Sequence, residues 1–266
     1  MRDPAGHWGT LARRYVPPVE SGCAMQRRHR IAAVLSIMAL SLAGQILPTA
    51  ANAAPQYNMR NGPNYTERVV LTFDDCPRTL SAYRSVLNYA RRENMGLVLA
   101  PSGNCITSFR REYGVDIVTL ARRNGQYVIN HSINHRDLRQ FDCAGAAAEL
   151  RAPGVVTNFG RPPHGGLNEA VLCGYRKVGM LPWLWTGSTR DWTGLSRSEV
   201  VDSVIALGRK GGTILMHMQW RGFHPRALDR MKEGLEDRGL QVCRAYGGAT
   251  GRITTSPALL PLRLPC

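Results

Sequence analysis

From residue 68 onward the chain alternates short apolar runs with longer stretches whose apolar positions recur at helical spacing. The clearest run is Val69-Val70-Leu71-Thr72-Phe73, closed by Asp74-Asp75-Cys76-Pro77, which predicts a buried strand over 69–73. Leu80, Tyr83, Val86, Leu87 and Ala90 then share one face of a helix over 79–92. A strand over 96–100 stops at Pro101-Ser102-Gly103, and a helix over 109–123 ends at Asn124-Gly125. Further strands are predicted at 127–130, 155–159, 180–186, 212–216 and 240–244, with helices at 146–150, 167–178 and 200–207. Ser196 and Glu199 supply a capping-box signal for the last of these. Leu228, Met231 and Leu235 mark a final helix closed by Gly239. Strand-then-helix order repeated in this way predicts an α/β fold, its parallel strands covered by helices in an open sheet or a barrel. In either form functional groups gather beyond the carboxyl ends of the strands.

The first 53 residues stand apart. A basic stretch, Met25-Gln26-Arg27-Arg28-His29-Arg30, precedes a mostly apolar run over 31–47 and the small-residue pattern Ala51-Asn52-Ala53. Together these predict a leader over 1–53 with a secretory signal peptide, Met25 being its expected start. Ser36, Ser41, Gly44 and Gln45 interrupt the apolar run, which is short for a membrane span, and an uncleaved anchor is the alternative. An exposed lead-in is expected over 54–67, a domain over 68–244 and a C-terminal strap over 245–266. The net charge of +15 favours polyanionic surroundings. The basic residues are scattered, which argues against a specific nucleic-acid interface and suits association with an anionic cell wall by an extracellular protein. Six cysteines follow the leader, an even number that in an exported chain predicts three disulfides. The oligomeric state is not legible.

The candidate chemistry sits at predicted strand ends. Asp74 and Asp75 are adjacent carboxylates, which raise each other's pKa unless a cation neutralises one of them. A metal on one and proton transfer on the other would resolve that conflict; an acidic turn is the plainer reading. His131 and His135, four apart after the 127–130 strand, can face one way on a helical turn and grip a divalent metal. Arg161-Pro162-Pro163-His164-Gly165 follows the next strand as a rigid loop with glycine at its end. Asp191 lies beside Trp192, and Leu215 and His217 close the 212–216 strand.

Taken in order, Thr-Phe-Asp-Asp, His-Ser-x-x-His, Arg-Pro-Pro-x-Gly, Asp-Trp and Leu-x-His resemble the five-motif signature of the polysaccharide deacetylases, carbohydrate esterase family 4. The resemblance runs from about Arg68 to Arg244. It implies a distorted (β/α) barrel of about seven parallel strands and a hydrolase dependent on zinc or another divalent metal such as cobalt. Asp75, His131 and His135 would bind the metal. Asp74 would be the general base, held ionised by Arg161, and the backbone N–H of His164 would stabilise the oxyanion. His217 would be the acid, paired with Asp191, while Trp192 and Leu215 shape the acetyl pocket.

The chain departs from the family pattern at several places. Cys76 replaces a usual glycine, so either a disulfide or a rival thiolate ligand is expected beside the metal. The expected pairings are Cys76–Cys105, Cys143–Cys173 and Cys243–Cys266. His164 replaces a usual tyrosine, Ser188 takes a place that is often Asp, and Met218 follows His217 where Asp is usual. The implied substrate is an acetylated polysaccharide, N-acetylglucosamine-containing chitin oligomers or peptidoglycan. O-Acetylated xylan is the alternative within the enzyme class, and a catalytically silent carbohydrate-binding protein the alternative outside it.

Overall fold

An unbroken β-forming run of low polarity places β1 (Val70–Asp75) at the centre of the main sheet. The computed structural model describes residues 56–266; the expected leader with its signal peptide lies outside the described residues. On either side of β1 lie β2 (Leu97–Pro101) and β7 (Thr213–His217), both parallel to it. The sheet continues to β3 (Tyr127–Val128) at one edge and β6 (Gly187–Ser188) at the other, in the order β3-β2-β1-β7-β6. A second parallel pair, β4 (Phe159–Gly160) and β5 (Leu181–Pro182), is joined to the first sheet by a bridge from Asn130 to Gly160. Seven parallel strands therefore follow one another as the barrel reading requires.

Hydrogen bonding between strands stops between β5 and β6, and residues 57–61 bond to β5 with the stretch after it and to the entry of β7. The Tyr57 hydroxyl donates to the Pro182 carbonyl at 2.8 Å and the Leu184 amide to the Met59 carbonyl at 2.7 Å. On the other side, Asn61 Nδ2 donates to the Gly211 carbonyl at 2.7 Å. The segment expected as an exposed lead-in is thus part of the barrel wall, and Gly62, Pro63 and Asn64 are buried. A side chain at Gly62 would meet the Trp183 ring at 2.3 Å, so this close approach needs glycine.

The helices are α1 (Leu80–Arg92), α2 (Gly103–Tyr113), α3 (Ile117–Arg123), α4 (Cys143–Glu149), α5 (Glu169–Lys177), α6 (Arg197–Leu207) and α7 (Pro225–Glu236). The single helix expected over 109–123 is two, because Gly114 ends α2 in the left-handed conformation and Asp116 caps α3. The strand expected over 180–186 is also two short pieces. Between them the carbonyls of Trp183 and Leu184 accept from Arg161 rather than from a neighbouring strand. The 155–159 run contributes only its end to β4, and the 240–244 run makes a single bridge, Val69 to Val242. The Ser196–Glu199 capping box forms as expected.

Two apolar clusters fill the fold. Leu71 and Phe73 of β1 pack outward with Tyr83, Val86 and Leu87 of α1 and with Leu228, Met231 and Leu235 of α7. Val70 turns inward to Tyr127, Phe159 and Trp183, which fill the barrel. The C-terminal segment crosses this region. Leu260 and Leu264 are buried there, Leu260 bonds Asn158, and the Leu264 amide donates to the Pro63 carbonyl at 2.9 Å. Disulfides join Cys76 to Cys105, Cys143 to Cys173 and Cys243 to Cys266.

Candidate active site

Strand alternation sends Thr72 and Asp74 to the same inward side as Val70, so Asp74 is buried at the carboxyl end of the barrel interior. Asp75 would face the opposite way. Its backbone instead adopts φ of 71°, a conformation that costs free energy outside glycine, and both carboxylates line one cavity. Ser132, His135, His164 and Arg190 also have positive φ, at 61°, 54°, 59° and 55°. The unfavourable backbone of this domain is concentrated at the site.

Arg161 is fully buried and fully engaged. Its Nη1 donates to Asp74 Oδ1 at 2.6 Å and Thr72 Oγ1 at 2.9 Å, while Nε and Nη2 donate to the Trp183 and Leu184 carbonyls. The guanidinium neutralises and orients Asp74 and leaves Oδ2 turned toward His131, 3.7 Å from its Nε2.

His131 and His135 do meet, but not on a helical turn as expected. They sit on a loop whose bend comes from the left-handed residues Ser132 and His135. Asn130 Oδ1 accepts from the Ser132 amide at 2.8 Å, and Ser132 Oγ from the His135 amide at 3.1 Å. Glu149 holds the Asn134 side chain at 2.8 Å and its amide at 3.2 Å. His131 is buried, with Nδ1 2.8 Å from the Arg161 carbonyl. A carbonyl only accepts, so Nδ1 carries a proton and Nε2 is the nitrogen that faces Asp75.

Asp75 Oδ1 lies 3.4 Å from His131 Nε2 and 3.1 Å from His135 Nε2. It is buried and makes no hydrogen bond, and one ligand atom from each of the three residues lies within 4.8 Å of the others. Burial alone would raise the Asp75 pKa, but the facing imidazoles and the Gln219 amide hold it well below the usual carboxylate range. Burial opposes the charged form of His131, yet the charges of Asp74 and Asp75 raise its pKa above the ordinary histidine value. Two imidazoles and a carboxylate around an orphaned oxygen fit zinc or a similar divalent ion.

His217 is the register partner of Asp74 across β1 and β7. Its Nδ1 lies 2.7 Å from Asp191 Oδ1, and its amide donates to Asp191 Oδ2 at 2.9 Å. Asp191 is fully buried on a short turn entered through Arg190. Burial would lower the His217 pKa, but the Asp191 hydrogen bond and the neighbouring carboxylates raise it above the ordinary value.

The cavity of about 450 Å³ is lined by both aspartates, His131, His135, His164, His217, Trp192 and Leu215, so every sequence-predicted contact to substrate or metal reaches it. Arg161 and Asp191 stand behind them. Burial and the nearby His135 charge lower the His164 pKa, and the two rings meet edge to face at 4.9 Å. Gly165 lets the loop close on the Trp185 ring, which a Cβ would approach to 2.5 Å. Cys76 is bonded to Cys105 and is no rival ligand. Sequence reading missed Trp185, Gln219 and Trp220 in the wall, and Asn130 and Glu149 behind the histidine loop. Trp185 and Trp220 had a signal, being aromatic residues within three positions of strand ends; Glu149 had none.

Comparison with known proteins agrees with this geometry. Residues 61–183 match the family model for polysaccharide deacetylase. A chitooligosaccharide deacetylase of Sinorhizobium fredii is 28% identical over 198 residues, covering 65% of this chain and 88% of that protein. A peptidoglycan-N-acetylglucosamine deacetylase of Bacillus cereus is 25% identical over 191 residues, covering 67% of each. Among solved structures, a family 4 carbohydrate esterase from Streptomyces lividans in complex with acetate superposes with a TM-score of 0.57. Its identity is 27%, and the match covers 66% of this chain and 91% of that one. Residues 61–183 are a polysaccharide deacetylase domain by that match, and the chain resembles the family 4 carbohydrate esterases. The fold is also that of a CE4 family pseudoenzyme from Bacillus anthracis, at a TM-score of 0.59, 20% identity and coverage of 71% and 67%. The fold by itself therefore does not decide activity.

Proposed function

We propose that this protein is a secreted, metal-dependent deacetylase that hydrolyses N-acetyl groups on N-acetylglucosamine-containing glycan, chitin oligomers or peptidoglycan, and releases acetate. The observation that carries the reading is the completeness of the set around one cavity. An ion site, a free carboxylate oxygen, and an acid paired with its own carboxylate all face the same space.

Asp75, His131 and His135 would hold the divalent ion, which when bound supplies Lewis acidity toward water and the acyl oxygen. The protein's own residues account for the proton traffic. Asp74 has Oδ1 tied to Arg161 at 2.6 Å, so Oδ2 is the atom that takes the proton from the attacking water. The backbone N–H of His164 donates to the acetyl oxygen as it gains charge, and the left-handed turn at His164 serves that aim. Asp191 fixes Nδ1 of His217 as the protonated nitrogen, which leaves Nε2 to give its proton to the departing amine. Leu215 and Trp192 bound the space for the acetyl methyl. The leader argues for export, and the 28 basic against 17 acidic side chains beyond residue 53 favour residence near an anionic wall.

The test is acetate release by zinc-loaded protein on N-acetylated chitin oligomers, peptidoglycan and acetylated xylan. Release from either N-acetylated glycan is expected. Release from xylan alone would replace the amide reading with the ester one. Silence on all three with metal bound would favour a binding protein.

A further inference from the structure

Gln219 touches the ion site from outside the five recognised segments. Its Nε2 lies 2.6 Å from Asp75 Oδ2. A carboxylate only accepts, so this contact fixes which end of the amide is nitrogen. The other end, Oε1, is thereby an acceptor, and it is buried with no hydrogen-bond partner in a side chain that lines the cavity. A buried acceptor without a donor costs free energy, and the cavity is where a donor can arrive. The same bond engages Oδ2 of Asp75 and leaves Oδ1 alone facing the two imidazoles.

We propose that Gln219 is a positioning residue that bridges metal and substrate. Its amide N–H holds Asp75 for ligation through one oxygen, and its Oε1 accepts a hydrogen bond from an N–H or O–H of the bound sugar. The bridge rests on the deacetylase reading for the identity of that sugar, but its metal half stands independently. It makes the strength of the ion site and the grip on substrate depend on one side chain, which sits on the turn after β7 and not in the histidine loop.

Gln219→Met in the full chain preserves length and removes both polar ends. Zinc affinity, measured by competition with a chromophoric chelator, is expected to fall at least tenfold, as for lost partners of metal ligands. The visible spectrum of the cobalt-loaded variant is expected to change as Asp75 becomes free to turn. In a zinc-saturated Asp74→Asn background, where turnover does not interfere, calorimetry is expected to show N-acetylchitopentaose binding several-fold more weakly with Gln219→Met added. Zinc affinity within twofold of the parent, or sugar binding unchanged, overturns the bridge. If Gln219→Met does not fold, judged by melting of the metal-free protein, Gln219→Asn takes its place. Its shorter amide cannot span both contacts and must show at least one of the two losses. Loss of zinc affinity and of sugar binding in a protein that releases no acetate would leave the bridge standing and remove the proposed activity.

Discussion

Replacing Arg161 with methionine probes the most expensive arrangement in the domain. Arg161 is fully buried, and its removal strands a carboxylate that is itself buried. Breaking a buried pair from one side costs about 3–5 kcal/mol, mostly because the remaining charge is uncompensated. Thr72 Oγ1 and the carbonyls of Trp183 and Leu184 also lose their donor. At roughly 1 kcal/mol for each such contact, less what repacking recovers, the total is about 5–7 kcal/mol. Against a typical domain stability of about 5–15 kcal/mol this approaches unfolding. The assay is urea unfolding of the metal-free, disulfide-intact protein, and the midpoint is expected to fall by about 2 M or more. Adding Asp74→Asn to Arg161→Met removes the stranded charge and is expected to restore about 2 kcal/mol, although Asp74→Asn alone destabilises. A midpoint for Arg161→Met within experimental error of the parent would refute this reasoning. So would a double variant less stable than Arg161→Met.

Other consequences are as direct. Zinc at a thousandfold excess over its dissociation constant is expected to stabilise the parent by about 4 kcal/mol, and to leave the melting of His135→Ala almost unmoved. Because His217 must be protonated to act as acid, kcat/KM is expected to fall as pH rises through its pKa, at a midpoint above the ordinary 6.5. Asp191→Asn removes the charge that strengthens that hydrogen bond and raises that pKa, so the alkaline limb is expected to move to lower pH. Replacing Cys76 and Cys105 together by alanine frees a loop of sequence separation 29. Chain entropy then sets the loss at about 3–4 kcal/mol, read as a lower urea midpoint.

Much of the site was legible because its chemistry rests on residue types that are hard to explain as packing. Adjacent carboxylates after an apolar strand, and His131, His135 and His217 at the ends of predicted strands, stand out whatever the tertiary structure. The five segments also lie in chain order, so resemblance assigned roles that the distances are compatible with: Arg161 to Asp74, Asp191 to His217, and Asp75 between two imidazoles. The means of assembly were less legible. The histidine loop was expected as a helical turn, since spacing of four suggests one, but positive φ at Ser132 and His135 brings the rings together. Nothing local marks those residues for that conformation. Gly114 did carry a stop signal that the apolar periodicity on both sides concealed.

Strand lengths were overestimated for a related reason. The 180–186 run looks like a strand, yet its middle carbonyls are taken by Arg161, a side chain about twenty residues away in sequence. The lead-in looks polar and is polar, but its side-chain and backbone groups tie β5 to the entry of β7. Long-range demands of this kind leave no trace in local pattern, whereas the cores of α1 and α7 were read correctly from periodicity alone.

The central claim is that Asp74 acts as a base beside an ion held by its neighbour. The most direct measurement is acetate release from N-acetylated chitin oligomers by zinc-loaded parent and Asp74→Asn, with zinc content determined on the same samples. The account predicts acetate from the parent, a loss of at least a hundredfold in the variant, and equal zinc in both. Undiminished acetate release by a zinc-replete Asp74→Asn would contradict it.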